Sequence, residues 1–380
     1  MIKKVVIVLG YLELGGAERQ AIYLADYLHH HTNVRVKVIG LNKPGRVSQI
    51  LSEKNISWEY IPIEFSHRRL TMAKSCLKLL RYFWHQRPRV IIPFTYWPNL
   101  LCGLIWRLTT AKVCIWNQRD EGRGMRHSRL ENVVLKNVSG IISNNLEGKL
   151  FLETNFNISN NKVKIIHNGV VLSNPEEDIL WWHQKLAIAP ETFTVLMVAN
   201  LHVHKDHATL LKAWKLFTDL AKDNKVALLL AGRLDDQYDN LKSLAKDLQI
   251  CDSVNFLGPV KDISGLLRAV DLVAFSSKKE GCPNSVLEAM RAQKPVVATD
   301  ICGIREALGE EYPYLVKPDN ADDFSQKVFT FYQNPVLIGE VGYRNEKYVT
   351  EKFSMRKMQD AYLSLIQGEV NAQVKLHKGC

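Results

Sequence analysis

The sequence predicts an α/β protein made of two doubly wound Rossmann-like domains facing each other across a cleft. Three observations carry that prediction. Twelve apolar runs of strand length recur along the chain. They are continuous and rich in Val and Ile, the mark of strands buried on both faces. Helical stretches lie between them, and strands alternating with helices predict βαβ units and parallel sheets. The 380 residues suit two domains of ordinary size, and a turn-rich stretch, HNGVVLSNPEED at 167–178, divides the runs six and six.

In the first half the runs are KVVIVLG (4–10), VRVKVIGL (34–41), RVIIPF (89–94), KVCIW (112–116), GIIS (140–143) and KVKIIHNG (162–169). In the second they are FTVLMVAN (193–200), KVALLLAG (225–232), SVNFLG (253–258), DLVAFSS (271–277), KPVVATD (294–300) and YPYLVKP (312–318). The expected domains are 1–178, 179–349, and 350–380, the last a helix plus a polar tail. Ligands on such sheets bind at the carboxyl ends of strands.

The net charge is +11 and all of it lies in residues 1–180, which hold 25 Lys and Arg against 14 Asp and Glu; the rest is balanced at 25 against 25. A basic half points to an anionic partner: a phosphorylated substrate, an acidic membrane surface or nucleic acid. A merely solubilising surface fits the same count. The seven cysteines are scattered with no CxxC pair, which argues against a disulfide framework or a zinc site and fits a reducing cytosol. MIKKVVIVLGYLELGG reads as a first strand and a glycine turn, not a signal peptide. No uncharged stretch reaches the ~18 residues of a membrane span.

Five stretches carry candidate chemistry. In SSKKEGCPNSVLEAM (276–290), a strand runs into a loop holding Glu280 and Gly281. A helix follows at Asn284 or Ser285, either of which suits a cap. Its first amides, at Asn284, Ser285 and Val286, predict an anion cradle, with Glu280 and Glu288 as acceptors for hydroxyls. A capped helix with solvated carboxylates fits equally. In MVANLHVHKDHATLLKAW (197–214) Lys205 precedes a helix, placed for a charge-assisted phosphate contact or for solvent. The histidines 202, 204 and 207 lack the partners of a metal set.

GYLELGGAERQ (10–20) puts Gly15 and Gly16 at a helix start, where paired glycines admit a ligand close to the backbone. RRLTMAKSCLKLLRYFWHQRPR (68–89) predicts an amphipathic helix. Leu70, Ala73, Leu77, Leu80 and Trp84 share one face; Lys74, Lys78 and Arg81 share another. It suits an anionic bilayer surface, or a core-facing helix with a solvated basic side. WNQRDEGRGMRHSR (116–129) is a polar loop after a strand, with Arg119 and Asp120 as acceptor-side candidates.

Taken in order, these segments resemble the family 4 retaining glycosyltransferases, of GT-B fold. EGCPNSVLEAM matches that family's Glu-x7-Glu signature, with Glu280 and Glu288 as the pair, and the similarity covers nearly the whole chain. The resemblance implies that Lys205 binds the donor diphosphate and Glu288 the ribose. It implies that Glu280 contacts the transferred sugar, that the amides of Asn284, Ser285 and Val286 assist the phosphates, and that no metal is essential. It makes 1–178 the acceptor-side domain and 179–349 the nucleotide-sugar-binding domain, with the last helix packing back toward the first; the nucleotide-sugar is substrate, and no cofactor is expected. Three departures stand out. Asn200 occupies the place of a usual arginine, with Arg233 of AGRLDD as substitute. NQRDEG replaces a usual histidine loop, leaving Arg119 and Asp120 for that role. Gln293 replaces a usual glycine, affecting a turn.

The expectation is therefore a cytoplasmic hexosyltransferase, peripheral on the inner face of the cell membrane through 68–89. It would move a sugar from a UDP- or GDP-linked donor to a carbohydrate acceptor on a lipid, in polysaccharide or lipopolysaccharide assembly. Two alternatives remain: a GT-B sugar-nucleotide epimerase or hydrolase, and a noncatalytic anion- or nucleic-acid-binding protein. The second lacks a basic–aromatic recognition motif, so nucleic acid is not an expected partner.

Overall fold

A computed structural model of the chain describes residues 2–222 and 225–378, with side chains as far as residue 373. The chain divides into two compact units, Met1–Gly169 with Met355–Cys380, and Val170–Ser354.

The first unit holds a seven-stranded sheet: β1 (Lys4–Leu9), β2 (Arg35–Gly40), β3 (Ser57–Tyr60), β4 (Val90–Pro93), β5 (Val113–Gln118), β6 (Gly140–Ser143) and β7 (Val163–Ile165), in the order β3-β2-β1-β4-β5-β6-β7. Every pairing is parallel. β1 sends Val5, Ile7 and Leu9 into one core and Val6 and Val8 into the other. A strand covered on both sides needs apolar residues at every position, which explains the unbroken run. The second unit repeats the plan with β8 (Phe193–Val198), β9 (Val226–Ala231), β10 (Val254–Gly258), β11 (Leu272–Phe275), β12 (Val296–Thr299) and β13 (Leu315–Val316), ordered β10-β9-β8-β11-β12-β13. It too is parallel throughout.

Twelve of these thirteen strands coincide with the predicted runs, β5 continuing two residues past its run to Gln118. The exception is β3, SWEY, an edge strand with no buried residue; a strand facing solvent carries no apolar run to find. The division between units falls at 169/170, not at 178/179. Residues after Gly169 are already tied to the second unit: Val170 N donates to Phe353 O at 2.9 Å and Glu177 N to Asp262 Oδ2 at 3.1 Å. At the other end, residues 350–352 finish the helix Pro335–Lys352, and the last helix spans Met355–Lys378. Its Met358, Tyr362, Ile366 and Val370, four apart, enter the core of the first unit. The helix runs on to Lys378 through most of the expected polar tail, and residues 379–380 lie outside the described residues.

The basic helix, Arg69–Gln86, departs from its predicted faces. It buries Ser75, Leu79 and Phe83. Leu70, Leu77 and Trp84 stay 80%, 60% and 63% exposed. The core takes the 75-79-83 row, and the heptad-spaced apolar row on nearly the opposite side of the helix is left in solvent among Lys74, Lys78 and Arg81.

Gln293 follows the helix Asn284–Arg291 with φ +58°. Gln293 N donates to Met290 O and Lys294 N to Ala289 O, both at 3.0 Å, the Schellman arrangement in which glycine is favoured. The exposed Gln293 side chain gains no packing there. Gln293→Gly is therefore expected to stabilise the chain by about 0.5–1 kcal/mol, read as a rise in the urea midpoint without a change in slope.

Candidate functional site

The sheet of the second unit reverses its strand order between β8 and β11. The loops leaving those strands diverge there, opening a crevice at their carboxyl ends, the usual ligand position in open α/β sheets. The two loops, 199–206 and 276–283, are laced together by backbone. Lys205 and Ser277 form an antiparallel bridge. Asp206 N donates to Ser276 O and Lys278 N to His204 O, each at 3.0 Å. From β12, Thr299 Oγ1 accepts Ser277 N at 2.8 Å.

This lacing brings the predicted Lys205 and Glu280 into an ion pair through Oε1. Ser277 Oγ donates to the same oxygen at 2.7 Å, and the Lys205 ammonium sits 4.8 Å from the centre of the Phe275 ring. Lys205 is 25% and Glu280 12% exposed, so both heads reach the crevice from a partly dry floor. His207 supports the lysine from behind, its Nδ1 3.3 Å from Lys205 O. It is 1% exposed, and burial pushes its imidazole down to about 4. Ser277, Thr299 and His207 escaped sequence reasoning, because a hydroxyl or imidazole that acts through a neighbour has no motif of its own.

The helix after Glu280 starts at Asn284, but its cap is Pro283, with no side-chain hydrogen bond. Neither Asn284 nor Ser285 caps it. Val286 N donates to Pro283 O at 3.2 Å, so that amide is turned into its own turn and away from an anion. Proline at this position leaves the helix N-terminus without a capping oxygen, which suits an external anion. Glu288 is 8% exposed, in the middle of a helical turn buried all round, Val286 to Met290. Gly281 is held by a neighbour that the motif did not reveal. A Cβ at Gly303, in the helix Cys302–Leu308, would strike the carbonyl oxygens of Glu280 and Gly281.

Asn200 contributes a latch: its Oδ1 accepts Arg233 N at 3.0 Å. The Arg233 side chain is 53% exposed and paired with Asp235 at 3.2 Å. It thus stands beside Asn200, at the end of the neighbouring strand, with its cation engaged at the surface.

In the first unit Gly15 caps the helix Gly16–His31 with extended backbone, φ −128°. A Cβ there would meet only the movable end of the Glu18 side chain, Oε2 at 2.5 Å. Burial raises the Glu18 carboxyl above its ordinary value. Arg119 and Asp120 are adjacent but turned into the scaffold. Arg119 hydrogen-bonds Asn168, reaches Tyr362 Oη at 3.4 Å and covers the Phe94 ring at 5.6 Å. Asp120 Oδ1 accepts Gln118 Nε2 at 2.7 Å, Gly122 N at 2.9 Å and Arg123 N at 3.0 Å, so it shapes its loop. Burial raises its carboxyl.

The open chemistry of this unit lies nearby, in a cavity of about 960 Å³ lined by Phe65, His67, Tyr96, Trp97, Arg68 and Arg126 among others. Phe65 and Trp97 stack at 5.6 Å. Thr95, before Tyr96, holds φ +68° and ψ 172°, a glycine-like conformation costing ~1–3 kcal/mol and typical of functional sites. Among the described residues no group of three or more His, Cys, Asp or Glu could hold a metal ion.

Residues 178–348 match the family model for glycosyl transferases group 1, and residues 14–174 the model for glycosyltransferase family 4. An N-acetylgalactosaminyltransferase of Campylobacter jejuni, named for a diphospho-undecaprenol-linked acceptor, is 31% identical over 209 residues, 54% of this chain and 52% of that one. An uncharacterised glycosyltransferase of Haemophilus influenzae is 27% identical over 202 residues, 53% and 55% of the two chains. The chain thus spans about half the length of these curated relatives. HepE of Anabaena, solved with UDP and glucose, has a TM-score of 0.84 at 19% identity, over 97% of this chain and 100% of that one. TarM of S. aureus, in a complex that includes UDP, has a TM-score of 0.75 at 14% identity, over 96% and 99%. The shared fold is GT-B.

The geometry around His207 sets a pH dependence. Its folded value of about 4 lies below the ordinary 6.5, so between the two the unfolded chain binds the extra proton and acid favours unfolding. Stability is expected to fall by ~3 kcal/mol between about pH 6.5 and pH 4 from this group alone. Urea titrations across that range should show a shallower fall in His207→Gln.

Proposed function

The chain belongs to the family 4 glycosyltransferases, and we propose that it moves a sugar from a nucleotide-sugar to a carbohydrate acceptor carried on a lipid, with retention of configuration. Cell-surface polysaccharide or lipopolysaccharide assembly is the process this serves. The observation that carries the reading is the Lys205–Glu280–Ser277 cluster at the switch point of the second sheet, beside a helix start that no side chain caps.

In that reading the donor diphosphate draws Lys205 off Glu280. The phosphate replaces one charge-assisted partner of the lysine with another, so the ammonium is never left unpaired in the exchange. Glu280 is then released toward the sugar, still steadied by Ser277, and Glu288 takes the ribose hydroxyls. The amides at the start of the helix, Asn284 and Ser285 first, face the phosphates with the positive end of the helix dipole. Arg233 supplies the second cation once it leaves Asp235, in place of the arginine that Asn200 displaces. The acceptor hydroxyl attacks the anomeric carbon from the side the diphosphate leaves. Its oxygen forms the new bond, the C1–O(phosphate) bond breaks, and its proton passes to the departing phosphate oxygen. The protein contributes positioning and charge stabilisation. One fold neighbour, HepE, solved both with UDP and glucose and with UDP-glucose, makes uridine-linked donors the first to test, ahead of GDP-sugars.

On the acceptor side the role passes from Arg119 and Asp120, which are built into the scaffold, to the aromatic cavity. Trp97 and Phe65 suit the face of a sugar ring and Arg68 and Arg126 a phosphate. The Campylobacter relative's name supports an acceptor on a diphospho-lipid. Such a substrate places the chain at a membrane, and no helix of the described residues is long and apolar enough to cross one. The exposed row Leu70–Leu77–Trp84 with its flanking cations supports peripheral binding to the inner, anionic face from the cytoplasm.

Purified protein incubated with UDP-, GDP- and ADP-sugars is expected to release nucleotide from one donor class, more so with membrane lipid extract. Lys205→Ala should lose ~100-fold or more of that release, and Glu280→Gln and Glu288→Gln should lose it too. Release of nucleotide without stimulation by any acceptor, giving free sugar or an isomer, would identify a hydrolase or epimerase instead. The anomeric coupling of the product, read by NMR, tests retention.

A further inference from the structure

A second cavity, of about 620 Å³, opens at the opposite edge of the first sheet, where β1, β2 and β4 begin. It is lined by Lys3, Lys4, Arg35, His85, Arg87 and Arg89, with only neutral residues completing the wall. The cations come from three strand starts and the end of the basic helix, so the fold itself gathers them. They are not neutralised there. Lys4 Nζ spends its hydrogen bond on the neutral Gln86 Oε1, at 2.6 Å. Its ammonium is held below its ordinary value by burial, then by Lys37 and Arg35, against which Glu59 is the one opposing acid. Glu59 is itself paired with Lys37. Arg89 Nε is enclosed with no hydrogen-bond partner among the described residues.

Gathering like charges around a cavity costs free energy in the empty protein, and a polyvalent anion removes the cost. The surface next to the cavity identifies the anion. The basic helix contains no Asp or Glu from Arg69 to Gln86. Its Lys74, Lys78, Arg81 and His85 follow a 4-3-4 spacing along one side, which leads into the cavity through His85. The row Leu70, Leu77, Trp84 runs alongside. Trp84 Nε1 donates to Leu108 O at 2.7 Å, and Leu108 is 62% exposed. A tryptophan with its polar edge satisfied, set at the boundary between an apolar row and a cationic one, matches the interface of a bilayer.

We propose that this cavity holds the phosphate headgroup of an anionic phospholipid while the Leu70–Leu77–Trp84 row lies in the bilayer interface. The cavity and the helix then form one docking surface, with a specific headgroup contact at one end. The proposal rests on the membrane-bound reading above and adds a lipid site remote from the residues assigned to donor and acceptor.

The test is co-sedimentation with phosphatidylcholine vesicles, with and without phosphatidylglycerol, at one fixed salt concentration. The cavity variant Lys3→Gln/Arg35→Gln/Arg87→Gln alters exposed residues. A charge-matched control, Arg69→Gln/Lys74→Gln/Arg81→Gln, removes the same charge outside the cavity. The cavity variant is expected to lose ~10-fold or more of its affinity for phosphatidylglycerol vesicles, the control clearly less, with equal thermal melts showing that both fold. Equal losses in the two variants would reduce the cavity to diffuse electrostatics and overturn the proposal. So would binding indifferent to phosphatidylglycerol. A calorimetric titration with inorganic phosphate separates the sources: phosphate binding lost in the cavity variant while its vesicle binding stays intact would assign the cavity to a soluble anion and also overturn it. Nucleotide release in solution should be unchanged in the cavity variant, so a failed transferase reading and a failed lipid site give different results.

Discussion

Two strand-end loops of the second unit are held by one backbone clasp, and the candidate donor chemistry depends on it. Without the bridge between Lys205 and Ser277, the lysine and Glu280 would sit on separate loops with the freedom that loops have. The clasp is possible only because β8 and β11 are neighbours while their following helices diverge. Thr299 on β12 and Gly303 after it brace the second loop from the other side. The side chains at the crevice are therefore placed by groups that need never touch a ligand. Precise placement is what a reaction driven by positioning and charge requires.

The first unit solves an equivalent problem with a side-chain clasp. Gln20, buried in the helix Gly16–His31, exchanges two hydrogen bonds with the backbone of Gly169, at 2.9 and 3.0 Å. Nearby, Tyr362 of the last helix donates to Asn117 Oδ1 at 2.6 Å, and Arg119 bonds Asn168 in the same region. Gly169 cannot be larger, since a Cβ would meet Met355 Cα at 2.8 Å. The end of β5, the chain at 167–169 and the returning helix are thus locked as one polar network in a dry setting, where each unmade bond would be costly. Arg119 takes part through its two terminal nitrogens, on Tyr362 and Asn168, while its buried Nε has no hydrogen-bond partner among the described residues.

Strands were legible in the sequence to the degree that they are buried. β1, β8 and β11 announce themselves because both faces meet a core; SWEY does not, since its residues face the edge. Helix faces were less legible. The basic helix carries a row of Ser75, Leu79 and Phe83 and, on nearly the opposite side, a row of Leu70, Leu77 and Trp84, and periodicity alone cannot say which row the sheet will claim. At the candidate site, residues acting by charge, such as Lys205 and Glu280, had a recognisable setting. Residues acting through the backbone, such as Ser277, Gly303 and the latch Asn200, did not. Pro283 misleads for a related reason: a cap is expected to carry an oxygen, whereas here the fold leaves the helix end uncapped.

The charge asymmetry follows from the same division of labour. In the second unit the site cations are matched internally, Lys205 by Glu280 and Arg233 by Asp235, so the empty site carries little net charge, and the unit as a whole, with 21 Lys and Arg against 26 Asp and Glu, has no cationic excess. A ligand entering there exchanges one partner for another. In the first unit the cations around Lys4 and along the basic helix have almost no matching acids, and their repulsion persists until something outside the protein relieves it. Matched pairs suit a small ligand that must come and go at each turnover, since the exchange releases little energy either way. Unmatched clusters suit a surface that stays bound through many turnovers, because every contact with an anionic surface is a net gain.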